Sequence, residues 1–165
     1  MSRKVEFSKL IISRQLYIRR QLNIRFPKRK IALIPFKVRE IKKEVNEIPD
    51  GVKMIHAPQL WEQSQKGEGI VIAVIDTGCQ ISHPDLKNRI IGGRNFTKDY
   101  FRNPNNYNDN NGHGTHVAGT IAASENNIGV LGVAPMANLL ILKALRKDGS
   151  GDYKNTINAI NYAVK

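Results

Sequence analysis

Residues 70–78 read Ile-Val-Ile-Ala-Val-Ile-Asp-Thr-Gly, an apolar run rich in β-branched residues that ends in an aspartate and a turn signal. Runs of this kind are typical of strands buried inside a parallel sheet. Asp76 therefore falls at the carboxyl end of a strand, where open α/β sheets bind ligands and place catalytic groups. The alternative is a solvated turn aspartate without a function.

From Ile55 onward the chain alternates short apolar runs with helix-like stretches. This alternation predicts an α/β domain with a mainly parallel sheet. A second buried strand is expected at residues 139–145, a polar loop at 103–112, and helices at 113–123 and 153–164. In the last helix the apolar spacing predicts three inward side chains, Ile157, Ile160 and Val164.

The composition of this 165-residue chain, with 41% apolar residues, is that of a globular protein. The apolar run at residues 70–75 is too short to cross a bilayer, and no secretory signal opens the sequence, so secretion and membrane insertion are not expected. The one cysteine, Cys79, cannot form an internal disulfide, which favours a reducing cytosol.

The formal net charge of +12 is concentrated at one end of the chain. Residues 1–45 hold 14 Lys and Arg against 3 acids, whereas the remainder holds 12 against 11. A Pro-Asp-Gly turn signal follows at residues 49–51. The chain is therefore divided into a basic extension at 1–30, a segment at 31–48 and a folded domain at 49–165.

The basic extension has two interpretations. Its apolar residues could form one stripe of a basic helix that touches an acidic surface, nucleic acid or a membrane. We favour a partly disordered extension, and we do not expect nucleic acid or a membrane as partners. Residues 31–36, just downstream, are predicted to be extended because Pro35 disfavours helical backbone at Ile34.

Asp76 and His113, which are 37 residues apart, are candidates for a catalytic pair. A buried aspartate that accepts the imidazole Nδ1 proton prepares a histidine to act as a general base. One alternative is a histidine that is merely a satisfied polar residue in a packed helix. Another is a metal site of His113, His116 and Asp76, which is disfavoured because His-x-x-His lacks the i, i+4 spacing and no metalloprotease glutamate is present.

Four segments carry a resemblance to the subtilisins, a family of serine endopeptidases. They are residues 74–78 (Val-Ile-Asp-Thr-Gly), 83–86 (His-Pro-Asp-Leu), 113–120 (His-Gly-Thr-His-Val-Ala-Gly-Thr) and 129–135 (Gly-Val-Leu-Gly-Val-Ala-Pro). The resemblance runs from about residue 49 to residue 165. It implies the N-terminal part of a three-layer α/β fold, incomplete in this chain, in which Asp76 and His113 are catalytic and His116 is a structural helix residue.

The intracellular branch of that family is the best match. Residues 76–79 (Asp-Thr-Gly-Cys) and 91–97 (Ile-Gly-Gly-Arg-Asn-Phe-Thr) resemble its members, and residues 33–36 (Leu-Ile-Pro-Phe) resemble their short pro-segment. In those enzymes the pro-segment lies across the active-site cleft, and its proline displaces the backbone from cleavable geometry until the segment is removed. The resemblance implies a cytoplasmic protease that acts on proteins or peptides.

The resemblance also implies a structural calcium site and a substrate-binding edge. Calcium would be held by side-chain oxygens of Asp85 and Asn126, by backbone carbonyls of the loop 124–130, and by Asn46 in place of a glutamine. The residues implied in calcium binding are Asp85, Asn126, Ser124, Ile128, Val130 and Asn46; those implied in substrate binding are Leu145, Gly149, Ser150, Gly151 and Tyr153. Homodimers are common in the family.

The family's nucleophile segment, of the type Gly-Thr-Ser-Met-Ala, does not occur among these 165 residues. Ser124 and Ser150 are expected in the calcium loop and the substrate edge rather than facing His113. We therefore predict that these residues alone are inactive and fold poorly, and that a complementing C-terminal half carries the serine. The alternatives are a truncated, inactive relative and a basic module that binds nucleic acid or membrane.

Overall fold

The computed structural model describes residues 30–33 and 46–165. The predicted basic extension, except Lys30, lies outside the described residues, as does Pro35 with its neighbours. The strands are β1 (Lys30–Ala32), β2 (Val71–Asp76), β3 (Ile90–Asn95), β4 (Asn138–Lys143) and β5 (Ser150–Asp152). The α-helices are α1 (Asp50–Met54), α2 (Ala57–Ser64), α3 (His113–Ala122) and α4 (Tyr153–Ala163).

A three-stranded parallel sheet in the order β2-β4-β3 forms the centre of the domain. Its register sets Asp76 of β2 and Asn95 of β3 on either side of Lys143 of β4. Three polar residues thus end adjacent strands at one edge. The prediction of an α/β fold with a mainly parallel sheet is confirmed.

The sheet separates two apolar layers, because successive side chains of a strand point to opposite faces. On one face Leu139 and Ile141 of β4 pack with Val74 and with α3. On the other face Leu142 of β4 packs with Ala159 of α4. Helix, sheet and helix make the three layers that were expected.

Two details of the predicted core are wrong. The strand at residues 70–75 is only partly buried, since Val71 is 51% exposed: β2 pairs with β4 alone among the described strands. In α4 the side chains of Ile160 and Val164 are exposed, because the helix contacts the sheet through Ala159 and Ala163, whose small side chains allow close approach.

Helix α3 begins directly against the end of β2, and Gly114 makes this approach possible. A Cβ atom at Gly114 would collide with the carbonyl oxygen of Gly78. The backbone N–H of Gly114 instead donates to Thr77 Oγ1 at 2.9 Å. The contact places the first residue of α3, His113, beside the last residue of β2, Asp76.

Across the described ranges, 30–33 and 46–165, we find no helix with the length and apolar character needed to span a membrane.

Candidate active site

Asp76 and His113 are hydrogen-bonded to each other at the carboxyl edge of the sheet. His113 Nδ1 lies 2.8 Å from Asp76 Oδ1 and 3.0 Å from Oδ2. The carboxylate is nearly buried, with 11% of its side chain exposed, while 28% of the histidine side chain is exposed. Because Asp76 can only accept when ionised, this geometry assigns the proton to Nδ1 and directs the basic lone pair to Nε2.

Asp76 is itself held by the backbone around it. Its Oδ1 accepts the N–H of Thr77 at 2.7 Å. Its carbonyl oxygen accepts two further N–H groups, from Ala144 at 2.9 Å and Leu145 at 3.1 Å. The carboxylate therefore faces His113 from a backbone that is fixed on two sides.

A second carboxylate, Asp109, organises the loop that leads into α3. Its Oδ1 accepts three hydrogen bonds of 2.9 to 3.0 Å, from the Thr77 hydroxyl and from the backbone N–H groups of Asn111 and Gly112. Its Oδ2 accepts the N–H and the hydroxyl of Thr115 at 2.9 and 2.6 Å. Burial raises the pKa of Asp109, but these hydrogen bonds outweigh it, so the net pKa lies below the usual value.

Cys79 lies close to this network but is not a candidate nucleophile. Its side chain is fully buried. The pKa of the thiol is raised to about 12, mainly by burial and to a lesser extent by the nearby negative charge of Asp109. Since the thiolate is the reactive form, Cys79 serves as a small apolar core residue.

The predicted substrate edge is strand β5, and in this structure it is already paired. Strand β1 runs antiparallel to it, with Ile31 opposite Gly151 and Ala32 opposite Ser150. The pairing continues where Leu33 donates its N–H to the carbonyl of Gly149 at 3.0 Å. A segment of the chain itself thus lies on the edge expected to bind substrate.

Two glycines leave room for this segment. A Cβ atom at Gly149 would lie 3.3 Å from Leu33 Cβ, and its φ of +74° is unfavourable for other residues. A Cβ atom at Gly151 would lie 2.5 Å from Leu145 Cδ2 and 3.2 Å from Ile31 Cγ1. Leu145 is buried and Tyr153 is 42% exposed.

The turn behind β5 is fixed by Arg146. Its Nε and Nη2 donate to Ser150 Oγ at 3.1 and 2.9 Å, and its Nη1 pairs with Asp152 at 3.0 Å. The Ser150 hydroxyl in turn donates to Asp148 at 2.6 Å. These bonds engage the Ser150 hydroxyl within the turn that leads into β5.

The residues implied in calcium binding converge on one loop. Asp85 is 5% exposed, and within the described residues no cationic side chain pairs with it. Asn126 Nδ2 donates to Asp85 Oδ1 at 3.1 Å, and Asn46 exchanges two hydrogen bonds with Asn127. Ser124 Oγ is buried without a hydrogen-bond partner in the described part of the chain.

The chemistry of this donor set fits calcium in part. Calcium prefers oxygen ligands. Burying a carboxylate such as that of Asp85 costs free energy when no cation lies beside it. No hydrogen bond from the described residues ends on the backbone carbonyls of Ser124, Ile128 or Val130. The Asn126 amide, however, presents its nitrogen to Asp85, so its oxygen could serve as a ligand only after the amide rotates.

Sequence reasoning missed the residues that support the pair. Thr77, Asp109 and Lys143 connect β2, β4 and the loop before α3, whereas composition predicts only a polar loop at residues 103–112. A partial signal was present for Lys143, since it directly continues the apolar run at residues 139–142 and so lies at the end of a strand that is predicted to be buried. Asp109 carried no such signal, because Asp-Asn-Asn-Gly is also ordinary turn composition.

Comparison with known proteins gives a family match. The family model described as the subtilase family matches residues 67–165. The chain is 58% identical over 137 residues to an intracellular serine protease of Paenibacillus polymyxa, with 83% of this chain and 42% of that protein covered. It is 56% identical over 136 residues to the major intracellular serine protease of Bacillus subtilis (strain 168), with 82% and 43% covered.

A third relative is less similar in sequence. Subtilisin E of Bacillus subtilis (strain 168) is 49% identical over 117 residues, which cover 71% of this chain and 29% of that protein. The chain spans about two fifths of the length of the two intracellular proteases that it matches. The resemblance in sequence therefore concerns one part of those proteins.

Replacing Asp109 with Asn should destabilise the chain by about 2–4 kcal/mol at neutral pH, because an amide cannot accept all five hydrogen bonds. The parent should lose this advantage on acidification. The folded-state pKa of Asp109 is lowered, so its contribution is present above the usual value of 3.8 and is lost as the pH falls through the folded value.

Urea unfolding of the parent and of D109N, each combined with the serine-bearing second half, at pH 7 and at decreasing pH measures this difference. D50N is the matched control, since the Asp50 carboxylate is 97% exposed and should change stability by less than about 0.5 kcal/mol. Equal stability of D109N and the parent at pH 7 would contradict the role assigned to Asp109.

Proposed function

Because this chain belongs to the subtilase family, we propose that it supplies the aspartate and the histidine of the Asp/His/Ser triad of a serine endopeptidase. The observation that carries the proposal is the 2.8 Å hydrogen bond from His113 Nδ1 to Asp76 at the carboxyl edge of the parallel sheet. Relatives named serine proteases support the same assignment.

In the proposed reaction His113 is the general base and Asp76 orients it. Nε2 accepts the proton of a serine hydroxyl as that oxygen attacks the peptide carbonyl, and the Asp76 carboxylate stabilises the resulting imidazolium. His113 then gives the proton to the leaving amine. Water repeats the sequence on the acyl-enzyme and releases the second product.

The nucleophile is proposed to come from sequence other than these 165 residues. Ser150 is hydrogen-bonded to Arg146 and Asp148, and Ser124 is buried in the loop beside Asp85. One edge of β2 pairs with no strand of the described residues, and Val71 there is 51% exposed, so we propose that a serine-bearing second half adds a parallel strand at this edge. Without such a partner we expect no hydrolysis.

Substrates are proposed to be peptides that pair with β5 in the manner of β1. Main-chain hydrogen bonds to Gly149 and Gly151 would provide affinity independent of side-chain identity. Leu145 and Ile31 approach the position of a Cβ at Gly151, which supports a pocket there for an upstream apolar side chain. Leu145, Ser150 and Tyr153 would line the same edge.

Strand β1 and Leu33 are proposed to act as an inhibitory pro-segment. They occupy the edge that a substrate needs, and the residues that follow Leu33 include Pro35, which lies outside the described residues. The names of the two intracellular relatives support an intracellular site of action.

Calcium is proposed as a structural cofactor. Asp85 and the carbonyls of Ser124, Ile128 and Val130 would hold it, with Asn126 and Asn46 as further oxygen donors. Bound there, the cation would compensate the buried carboxylate and fix the loop 124–130 against the rest of the domain.

Replacing His113 with Ala should abolish peptide hydrolysis measured after a serine-bearing second half has been supplied. In a subtilisin, loss of this histidine alone lowers kcat by about a millionfold, and that known figure is the expectation here. H116A is the matched control, because His116 lies exposed on the same helix and should retain activity. Inhibitor-sensitive turnover by H113A would refute the proposed triad.

Deleting residues 1–33 should increase the affinity of the complemented enzyme for a peptide substrate by about tenfold or more. The deletion removes the pairing of β1 and Leu33 with β5, and each such hydrogen bond contributes about 1 kcal/mol. Deletion of residues 1–29 is the control, since it leaves that pairing in place. If the deletions of residues 1–33 and 1–29 both give the KM of the parent, the proposed inhibitory role of β1 is wrong.

Removing calcium with a chelator should lower the melting temperature of the chain by several degrees. A ligand at about a hundred times its dissociation constant stabilises the folded state by about 2.7 kcal/mol. D85N should show no response to calcium, whereas E125Q, in the same loop but paired with Lys66, should respond like the parent. An unchanged calcium response in D85N would exclude this site.

A further inference from the structure

Lys143, the last residue of β4, carries a fully buried ammonium group. Its Nζ lies 2.6 Å from the carbonyl oxygen of Thr77, 2.9 Å from Asn110 Oδ1 and 3.1 Å from the carbonyl oxygen of Leu145. The carboxylate of Asp99 is 3.1 Å away. An ammonium donates three hydrogen bonds, and these four oxygen atoms are enough to accept all of them.

Three of these oxygens, those of Thr77, Asn110 and Leu145, belong to different parts of the candidate site. Thr77 follows Asp76 at the end of β2, and Asn110 lies in the loop that leads to His113. Leu145 belongs to the substrate edge, where it forms an isolated antiparallel bridge with Gly151. One side chain thus connects the aspartate, the histidine loop and the substrate edge.

The pKa of the buried Lys143 ammonium lies below its usual value. Burial lowers the pKa of the ammonium, and Asp99, Asp109 and Asp76 act against that shift. Asp99 is held in turn by Asn110 Nδ2 at 3.1 Å and by the N–H of Lys147 at 2.9 Å. The ring of Tyr100 lies 5.9 Å from the ammonium and adds a cation–π contact.

We propose that Lys143 is a positioning residue of this active site, whose buried ammonium holds Asp76, the loop before His113 and the substrate edge in the geometry required for catalysis. The inference rests on the proposed function, since it names a further residue for the same reaction. Lys143 touches neither the substrate nor a reacting atom, so it acts through the backbone of Thr77 and the side chain of Asn110.

The role differs from that of an ordinary core residue. Methionine has nearly the length of lysine, so K143M fills the volume without donating a hydrogen bond. The oxygens of Thr77, Asn110 and Leu145 then lose their shared donor, and the two loops are free to shift relative to Asp76. Because a misplacement of about 1 Å can cost about a hundredfold in rate, the loss should appear in kcat.

The test compares K143M and D99N with the parent in two measurements. With a serine-bearing half supplied, K143M should lower kcat by about a hundredfold and D99N by about tenfold. In the same complemented enzyme, the low-field proton signal of the His113 Nδ1–H bonded to Asp76 should be lost in K143M and shifted in D99N. K53M, at an exposed lysine, should match the parent in both.

The outcomes separate this inference from the function on which it rests. Parent-like kcat and an unmoved imidazole signal in folded K143M would overturn it. Where K143M does not fold, D99N decides, because that variant keeps the lysine: parent-like values in both measurements again overturn the inference. Activity retained by H113A would refute the proposed function instead, and the imidazole signal alone would then decide whether Lys143 positions the Asp76–His113 pair.

Discussion

The parallel register that sets Asp76 beside Lys143 is the constraint on which the rest of the site depends. It ends β2 and β4 at the same level, so a carboxylate and an ammonium are brought to one edge of the sheet by backbone pairing alone. Taking either charge out of water is costly unless hydrogen bonds compensate it. The loops that cross this edge supply those bonds, and their conformations follow from that demand.

The position of His113 is a second consequence of the same edge. Helix α3 can start beside β2 only because Gly114 has no side chain, and because Thr77 accepts its N–H while donating to Asp109. The close packing at Gly114 and the hydrogen bonds of Thr77 therefore both require the same position of α3. The proposed catalytic role of the Asp76–His113 pair would need this agreement, since catalysis tolerates little displacement of either group.

The sequence was sufficient to predict the parts of the fold that depend on local pattern. An apolar run ending in Asp76 predicts a strand and a polar residue at its end, and His113 follows a turn-rich loop. Burial was harder to predict, because it depends on which strands lie alongside: β2 has the composition of a central strand, yet Val71 is half exposed. The contacts of Asp109 and Lys143 depend on the three-dimensional meeting of distant segments, which no local pattern encodes.

Because β1 belongs to the same chain as β5, it occupies the proposed substrate edge as a tethered ligand. A group on the same chain competes at an effective concentration, in the millimolar range for short flexible connections, which does not fall when the protein is diluted. A free peptide must exceed that concentration or bind more tightly to displace it. The latency proposed for this segment would therefore be independent of protein concentration, and only a covalent break in the tether would relieve it permanently.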